Sequence, residues 1–341
     1  MLNLDYQNLG NTSLRVSRLS LGTMLFGEEQ ARSTSAEIAN QMLKAYYDMD
    51  GNFIDTADVY GKNGASEKII GKWMKDYERS EIILATKLRF RKGKGQNNRG
   101  VSRKYILQAV KKNLERLQTD YIDLLYLHSS TKDMNIHETM KALNYLVDAG
   151  LVHYIGVSNW KAWQIGYSVA LSESKDWSRF EAAQYQYSLV ERNIEEEFSD
   201  LCVRNHISII PWGPLGGGFL SGKYAQSQEK PPEGTRISVT PDHAEEAWKN
   251  RATDRNWKII EVVNEIASET GATHPQIALA WLLHQEQVTS PIIGARTMDQ
   301  FFDNMKTLEV NLNMDQLKRL DNVSTPHLEY PYGMIQKYAS E

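Results

Sequence analysis

Four side chains, Asp55, Tyr60, Lys87 and His128, have the types needed to move a proton to or from a carbonyl oxygen. Asp55 closes the apolar run in "GNFIDTADVYG", residues 51–61, and Tyr60 follows five positions later. Lys87 closes "IILATK" and His128 closes "DLLYLH". A free phenol has a pKa of about 10, too high to share a proton readily near neutrality. A neighbouring ammonium favours the phenolate and lowers that value. Lys87 can supply the charge and Asp55 can hold Lys87 protonated and oriented. Tyr60 then becomes a general acid for a developing alkoxide. His128 can hydrogen-bond the same oxygen and orient the carbonyl. Such a donor also needs a source of electrons. No metal-ligand cluster is apparent, so no metal is expected, and a nicotinamide hydride would serve.

Taken singly, each residue has a plainer reading. Asp at a strand end commonly starts a turn, a lysine there reaches solvent, and a lone histidine is a hydrogen-bonded structural group. Their recurrence at three successive strand ends, with Tyr60 on the loop above Asp55, is what points to one site.

Those ends must therefore meet. Candidate strands are Leu19–Leu21, Phe53–Asp55, Ile82–Thr86, Ile122–Leu127, Tyr154–Val157, Ala182–Gln184, Ser208–Pro211 and Pro291–Ile293. Segments of helical period separate them. Ser102–Leu117 repeats Ile106, Val110, Leu114 and Leu117 behind a serine cap, and "TSAE", Thr34 to Glu37, reads as a capping box. Near-continuous apolar strands alternating with helices predict a parallel sheet covered by helices. Eight units in this length predict an α/β fold, a single (β/α)8 TIM barrel over residues 1–341. An N-terminal β-hairpin is expected over about residues 4–18, and a tail over about 325–341. No GxGxxG follows an early strand, which argues against a Rossmann sheet. Long irregular stretches at Arg89–Val101, about Gly213–Thr240 and after Thr325 are candidates for loops that shape a pocket at the C-terminal face.

The other strand ends carry Ser158 and Asn159, Gln184, Trp212, and Gly294 with Arg296. Bulk properties narrow the partners. The chain has 341 residues, 41% of them hydrophobic, and a net charge of −4 with mixed signs. Neither a nucleic-acid stripe nor a membrane span is expected. The first twenty residues lack a secretory pattern, and the lone Cys202 reads as a buried structural thiol. A cytoplasmic protein, monomeric or weakly homo-oligomeric, is the expectation.

The motifs "FIDTADVYG", "ILATK", "DLLYLH", "IGVSNW", "AAQYQYSLVER", "PWGPLGGGFLSGKY" and "IIGARTMDQFFDN" resemble, in order and spacing, those of the aldo-keto reductases. The resemblance runs from about Leu9 to Val323 and lies nearest the aryl-alcohol dehydrogenase and sugar-aldehyde reductase branch. It implies that Asp55, Tyr60, Lys87 and His128 form the family's catalytic tetrad. It further implies NADPH, with NADH a weaker alternative, held without a Rossmann fold. In that reading Ser158, Asn159 and Gln184 bond the carboxamide, and Trp212, where many relatives have tyrosine, stacks on the nicotinamide. Gly213, Pro214, Leu215, Gly216, Gly218 and Lys223 match the loop crossing the pyrophosphate, where glycines let the backbone approach oxygens closely. Arg296 faces the 2′-phosphate, with Gly294, Gln300 and Asn304 around the adenosine. Gly294-Ala295 and Gln300 depart from the Lys-Ser and Arg of many members. Gly22, Thr23, Met24 and Asp55 complete the cofactor set.

Met24, Phe26, Tyr60, His128, Trp160 and Tyr187 are the expected substrate wall. The expected substrate is a small carbonyl compound, either an aromatic aldehyde or a sugar- or uronate-derived 2-keto aldehyde. Arg89, Arg91, Lys92 and Lys94 beyond Lys87 would favour an acidic one. Two other readings stay open. One is an NADPH-binding, non-catalytic partner of the potassium-channel β-subunit type. The other is a barrel aldolase using Lys87 as a Schiff-base nucleophile.

Overall fold

The computed structural model describes residues 4–27 and 33–339; the ends of the expected 1–341 span, including the last two residues of the expected tail, lie outside the described residues. Its strands are β1 Tyr6–Asn8, β2 Arg15–Ser17, β3 Ser20–Gly22, β4 Phe53–Asp55, β5 Ile83–Leu88, β6 Ile122–Leu127, β7 Val152–Ser158, β8 Phe180–Gln186, β9 Ser208–Trp212 and β10 Ile292–Ile293. β3 to β10 form one parallel sheet in the order β10-β3-β4-β5-β6-β7-β8-β9. A parallel bridge from Ile209 to Val288, just before β10, brings the two edges together into a nearly closed (β/α)8 barrel. The expected fold class is borne out.

Four of the eight barrel strands, β5, β7, β8 and β9, are longer than the apolar runs that predicted them. β5 begins one residue later than expected and carries Lys87 inside it, not just beyond it. The period of two then decides which side chains enter the barrel. Phe53, Ile83, Ala85, Leu124, Tyr126, Ala182, Ile210 and Ile292 share one buried cluster inside the barrel. Their alternates Ile54, Leu84, Leu125, Ala183 and Ile209 belong to a second cluster with the surrounding helices. Two residues beyond the inward set stand Asp55, Lys87, Gln184 and Trp212. The site is thus the next inward layer of the barrel filling, made polar.

The floor is closed by the antiparallel hairpin β1–β2, as expected. Its Leu9 and Val16 are fully buried in the interior cluster. The turn is tied down by Gly10 N–H donating to Ser208 Oγ at 2.7 Å and Asn11 N–H to Glu181 Oε2 at 2.9 Å. A Cβ at Gly10 would stand 2.4 Å from the Glu181 carbonyl oxygen, so only glycine fits this turn.

The helix Arg103–Leu117 starts at Ser102, whose Oγ accepts from Tyr105 N–H, as the spacing predicts. The other cap is one residue off. Ser35, not Thr34, caps Ala36–Asp48 by accepting from Ile38 N–H at 3.3 Å. Thr34 instead pairs with Phe26 in a short bridge, and Glu37 moves to the second helical position, where its charge suits the helix N-terminus. Cys202 is fully buried and its thiol is pushed up to about 12 by burial, a structural cysteine as expected. Among the described residues no helix is long and apolar enough to cross a membrane.

Candidate active site

At the C-terminal end of the barrel a cavity of about 760 Å3 opens over Asp55, Tyr60 and His128. Asp55 ends β4 with its side chain 3% exposed, and its Oδ2 accepts from Lys87 Nζ at 2.5 Å. Gln184 Nε2 donates to the other carboxylate oxygen at 2.8 Å, so both are satisfied. Lys87, fully buried, also donates to the Thr56 carbonyl at 2.9 Å and to the Tyr60 hydroxyl at 3.2 Å. Those three acceptors match the three donors of an ammonium. The turn after β4 returns Tyr60 to the barrel axis, its N–H donating to the Ala57 carbonyl at 3.1 Å. His128 follows β6, edge-on to the Tyr60 ring at 6.0 Å between centroids.

The electrostatics differ from the sequence expectation in one respect. Burial pushes the Tyr60 phenol above its ordinary value; Lys87 pulls it down, yet does not outweigh burial and the Asp55 charge together. A net lowering was expected, because the sequence shows the lysine but not how enclosed the hydroxyl is. The phenol therefore rests protonated. Burial lowers the Lys87 ammonium, but Asp55 and Tyr60 raise it to a net value above the ordinary one. Burial, then the charges of Lys87 and Arg89, push His128 down to about 3, so it is neutral at pH 7.

The remaining wall is built by the strand-end loops. Ser158 and Asn159 line it beside Trp212, whose Nε1 donates to Asn159 Oδ1 at 3.2 Å. Asn159 Nδ2 in turn donates to the His128 carbonyl at 3.1 Å, linking three strand ends. Gly213, Pro214, Leu215 and Gly218 run along one side with Lys223. Gly217 and Gly218 adopt φ of +71° and +90°, the left-handed region that a side chain disfavours. A Cβ on Gly218 would lie 2.9 Å from Lys223 Nζ. A glycine backbone on the cavity wall next to an ammonium fits a diphosphate. Farther along lie Gly22, Met24, Gly294, Arg296, Gln300 and Asn304. Gln300 Oε1 accepts from Arg296 N–H at 3.0 Å, and the guanidinium lies on the cavity wall with its Nη1 3.5 Å from the Gly234 carbonyl. The residues present therefore fit an extended, phosphorylated dinucleotide.

Five expected site residues sit elsewhere. Phe26, Trp160 and Tyr187 do not line the cavity and are buried in the core. Trp160 packs edge-on to Phe180, and Tyr187 packs on Trp281 and donates to Glu195 Oε1 at 2.6 Å. Large apolar rings behind the strand ends are used to seal the barrel against its helices. Thr23 is buried behind Asp55, donating to that residue's carbonyl at 2.9 Å, and supports the site without reaching the cavity. Gly216 packs against Val190, where a Cβ would come within 2.6 Å of Cγ2. Nor do the four basic residues after Lys87 line the cavity: Arg89 and Lys92 donate to the Ser130 and Asp58 carbonyls, and Arg91 to those of Lys94 and Gly95.

Among the residues on this face that the sequence did not single out are Arg236 and Phe90. Arg236 lines the cavity and pairs at 2.6 Å with Glu246, a buried carboxylate lying against Gly213 and Gly217. The only signal for Arg236 was its place in the long segment after Gly213. Phe90 stands edge-on to His128 at 4.9 Å and is 36% exposed, an aromatic beside the opening that the basic residues around it obscured.

Comparison with known proteins agrees with this geometry. Residues 18–325 match the model of the aldo/keto reductase family. A probable voltage-gated potassium channel subunit beta of Oryza sativa subsp. japonica is 35% identical over 90% of this chain and 92% of its own. An uncharacterized oxidoreductase of Bacillus subtilis is 35% identical over 94% and 96%, and the versiconal hemiacetal acetate reductase of Aspergillus parasiticus 31% over 96% and 99%. With an eight-stranded parallel barrel beneath a buried Asp–Lys pair and a family match across nearly its whole length, the chain belongs to the aldo/keto reductase family of oxidoreductases.

Proposed function

We propose that this protein reduces an aldehyde or ketone to the alcohol with NADPH. One observation carries the reading: the Lys87 ammonium, held at 2.5 Å by Asp55, lies 3.2 Å from the Tyr60 hydroxyl beneath a cavity that fits a dinucleotide. Bound there, a reduced nicotinamide supplies a hydride to the carbonyl carbon. Tyr60 gives its proton to the carbonyl oxygen as the C=O π bond opens. Neutral His128 fixes that oxygen by a hydrogen bond. The negative charge left on Tyr60 develops next to Lys87, so the ammonium stabilises the transition state more than the resting phenol. Asp55 keeps Lys87 charged and aimed, and solvent returns the proton to Tyr60.

The reading of Lys87 as a Schiff-base nucleophile loses support. That chemistry needs a lysine able to shed its proton, whereas Asp55 and Tyr60 hold this one above its usual value. Met24, Leu25, Phe90 and Trp212 put apolar and aromatic surface at or beside the opening. This favours an aromatic aldehyde over a uronate-derived one, for which the cavity wall offers little beyond the cofactor-side cations.

Arg296 is assigned to the 2′-phosphate, since guanidinium and phosphate pair well. Steady-state oxidation of NADPH and of NADH by an aromatic aldehyde tests this together with the activity. Arg296→Ala is expected to raise KM for NADPH by about tenfold or more, at roughly 1.4 kcal/mol per decade, and to leave NADH nearly unchanged. Equal losses for both cofactors would reject the assignment. The named channel-subunit relatives support a second reading, a cofactor-binding partner with no required turnover. Absence of aldehyde-dependent oxidation across the panel would favour it.

A further inference from the structure

A second cavity, of about 390 Å3, shares no lining residue with the first. Three arginines line it: Arg192 after β8, Arg251 at the end of the short helix Trp248–Arg251, and Arg255 in the helix that follows. Arg192 is satisfied, donating to both Glu195 carboxylate oxygens at 2.7 and 3.0 Å and to Ser324 Oγ at 2.7 Å. Arg251 is not. It is 2% exposed, its Nη1 lies 3.6 Å from Glu191 Oε2, and its Nε and Nη2 are buried with no hydrogen-bond partner among the described residues. Arg255 donates through its Nη atoms to neutral oxygens, Asn256 Oδ1 and the Ser324 carbonyl, and its Nε is likewise without a partner among the described residues. Burial and then the nearness of Arg192 lower Arg255, with Glu191 opposing and Arg251 adding to the effect.

Nε and Nη2 form one edge of a guanidinium, and their N–H bonds point the same way. That edge is the bidentate donor for two oxygens of a carboxylate or phosphate. Glu191 occupies the Nη1 side of Arg251 and leaves this edge unused. Leaving charged donors buried and unpaired is costly, more so than for neutral groups. We propose that this cavity binds a phosphate-class oxyanion, free phosphate or a phosphate monoester, on the Nε–Nη2 edge of Arg251 with Arg255 Nε as a further donor. The site is separate from the reaction cavity and does not depend on the activity proposed above.

Calorimetric titration of the full chain with inorganic phosphate, and in parallel with glycerol phosphate, at constant ionic strength tests it. Saturable binding of either is expected, and the comparison tells a free ion from a monoester. Arg251→Lys should weaken binding about tenfold or more, because a lysine offers a point charge without the fork. Arg296→Gln, in the other cavity, should leave it unchanged. Absence of saturable binding of either ligand would overturn the site. So would binding that survives Arg251→Lys undiminished, or that disappears with Arg296→Gln instead. Circular dichroism checks that each variant folds. If Arg251→Lys does not fold, Arg255→Gln takes its place and must weaken binding, unchanged affinity again overturning the proposal.

Discussion

Tyr60→Phe is expected to lower kcat by about two to four orders of magnitude, the usual contribution of a positioned general acid. KM and cofactor affinity should change little. The substitution removes one oxygen and keeps the ring that packs edge-on to His128 and lies 4.8 Å under Lys87 Nζ. The loss should fall on kcat and kcat/KM alike, the pattern of an interaction made only in the transition state. Steady-state kinetics with an aromatic aldehyde gives the answer. A Tyr60→Phe enzyme of full activity would remove the phenol from the mechanism. The direction of the Tyr60 shift adds a second reading. Because burial holds the phenol above its ordinary value, Tyr60 stays protonated through neutral pH, and the rate should not fall near neutrality for want of its proton.

Lys87→Met is the second large effect, and it reaches stability as well as rate. Lys87 and Asp55 expose 0% and 3% of their side chains, so the pair is buried. Removing the lysine strands a carboxylate whose remaining side-chain donor is Gln184. Breaking such a pair from one side costs about 3–5 kcal/mol. Denaturant unfolding of Lys87→Met should show a loss of that size. The double variant Asp55→Asn with Lys87→Met should regain much of it, since no buried charge is left unpaired. Activity should stay lost in both. Equal stability of single and double variants would mean that the pair is not coupled in the way the 2.5 Å contact requires.

Much of this was legible in the chain itself. Apolar β-branched runs between helical periods disclosed the eight strands, because a strand buried on both faces needs little else. The polar residue closing each run disclosed Asp55, Lys87 and His128, because a parallel barrel brings those ends together whatever the loops do. Tyr60 needed one more step, the turn that returns it over Asp55. What failed had a common cause. Phe26, Trp160 and Tyr187 have types that suit a pocket or a core equally, and only packing decides; here they seal the barrel against its helices. The Tyr60 shift was misjudged because enclosure is a property of the fold and not of neighbours in sequence. Arg236 and Glu246 meet across ten positions of irregular chain, where no periodicity announces a contact.

Hydride transfer itself is the claim on which the rest depends. Incubating the enzyme with an aromatic aldehyde and NADPH deuterated at the transferring carbon, followed by mass spectrometry and NMR of the alcohol, tests it directly. One deuterium on the former carbonyl carbon, and none on oxygen after exchange into light water, is the predicted result. An alcohol formed without deuterium, or no alcohol formed from any aldehyde offered, would contradict the account.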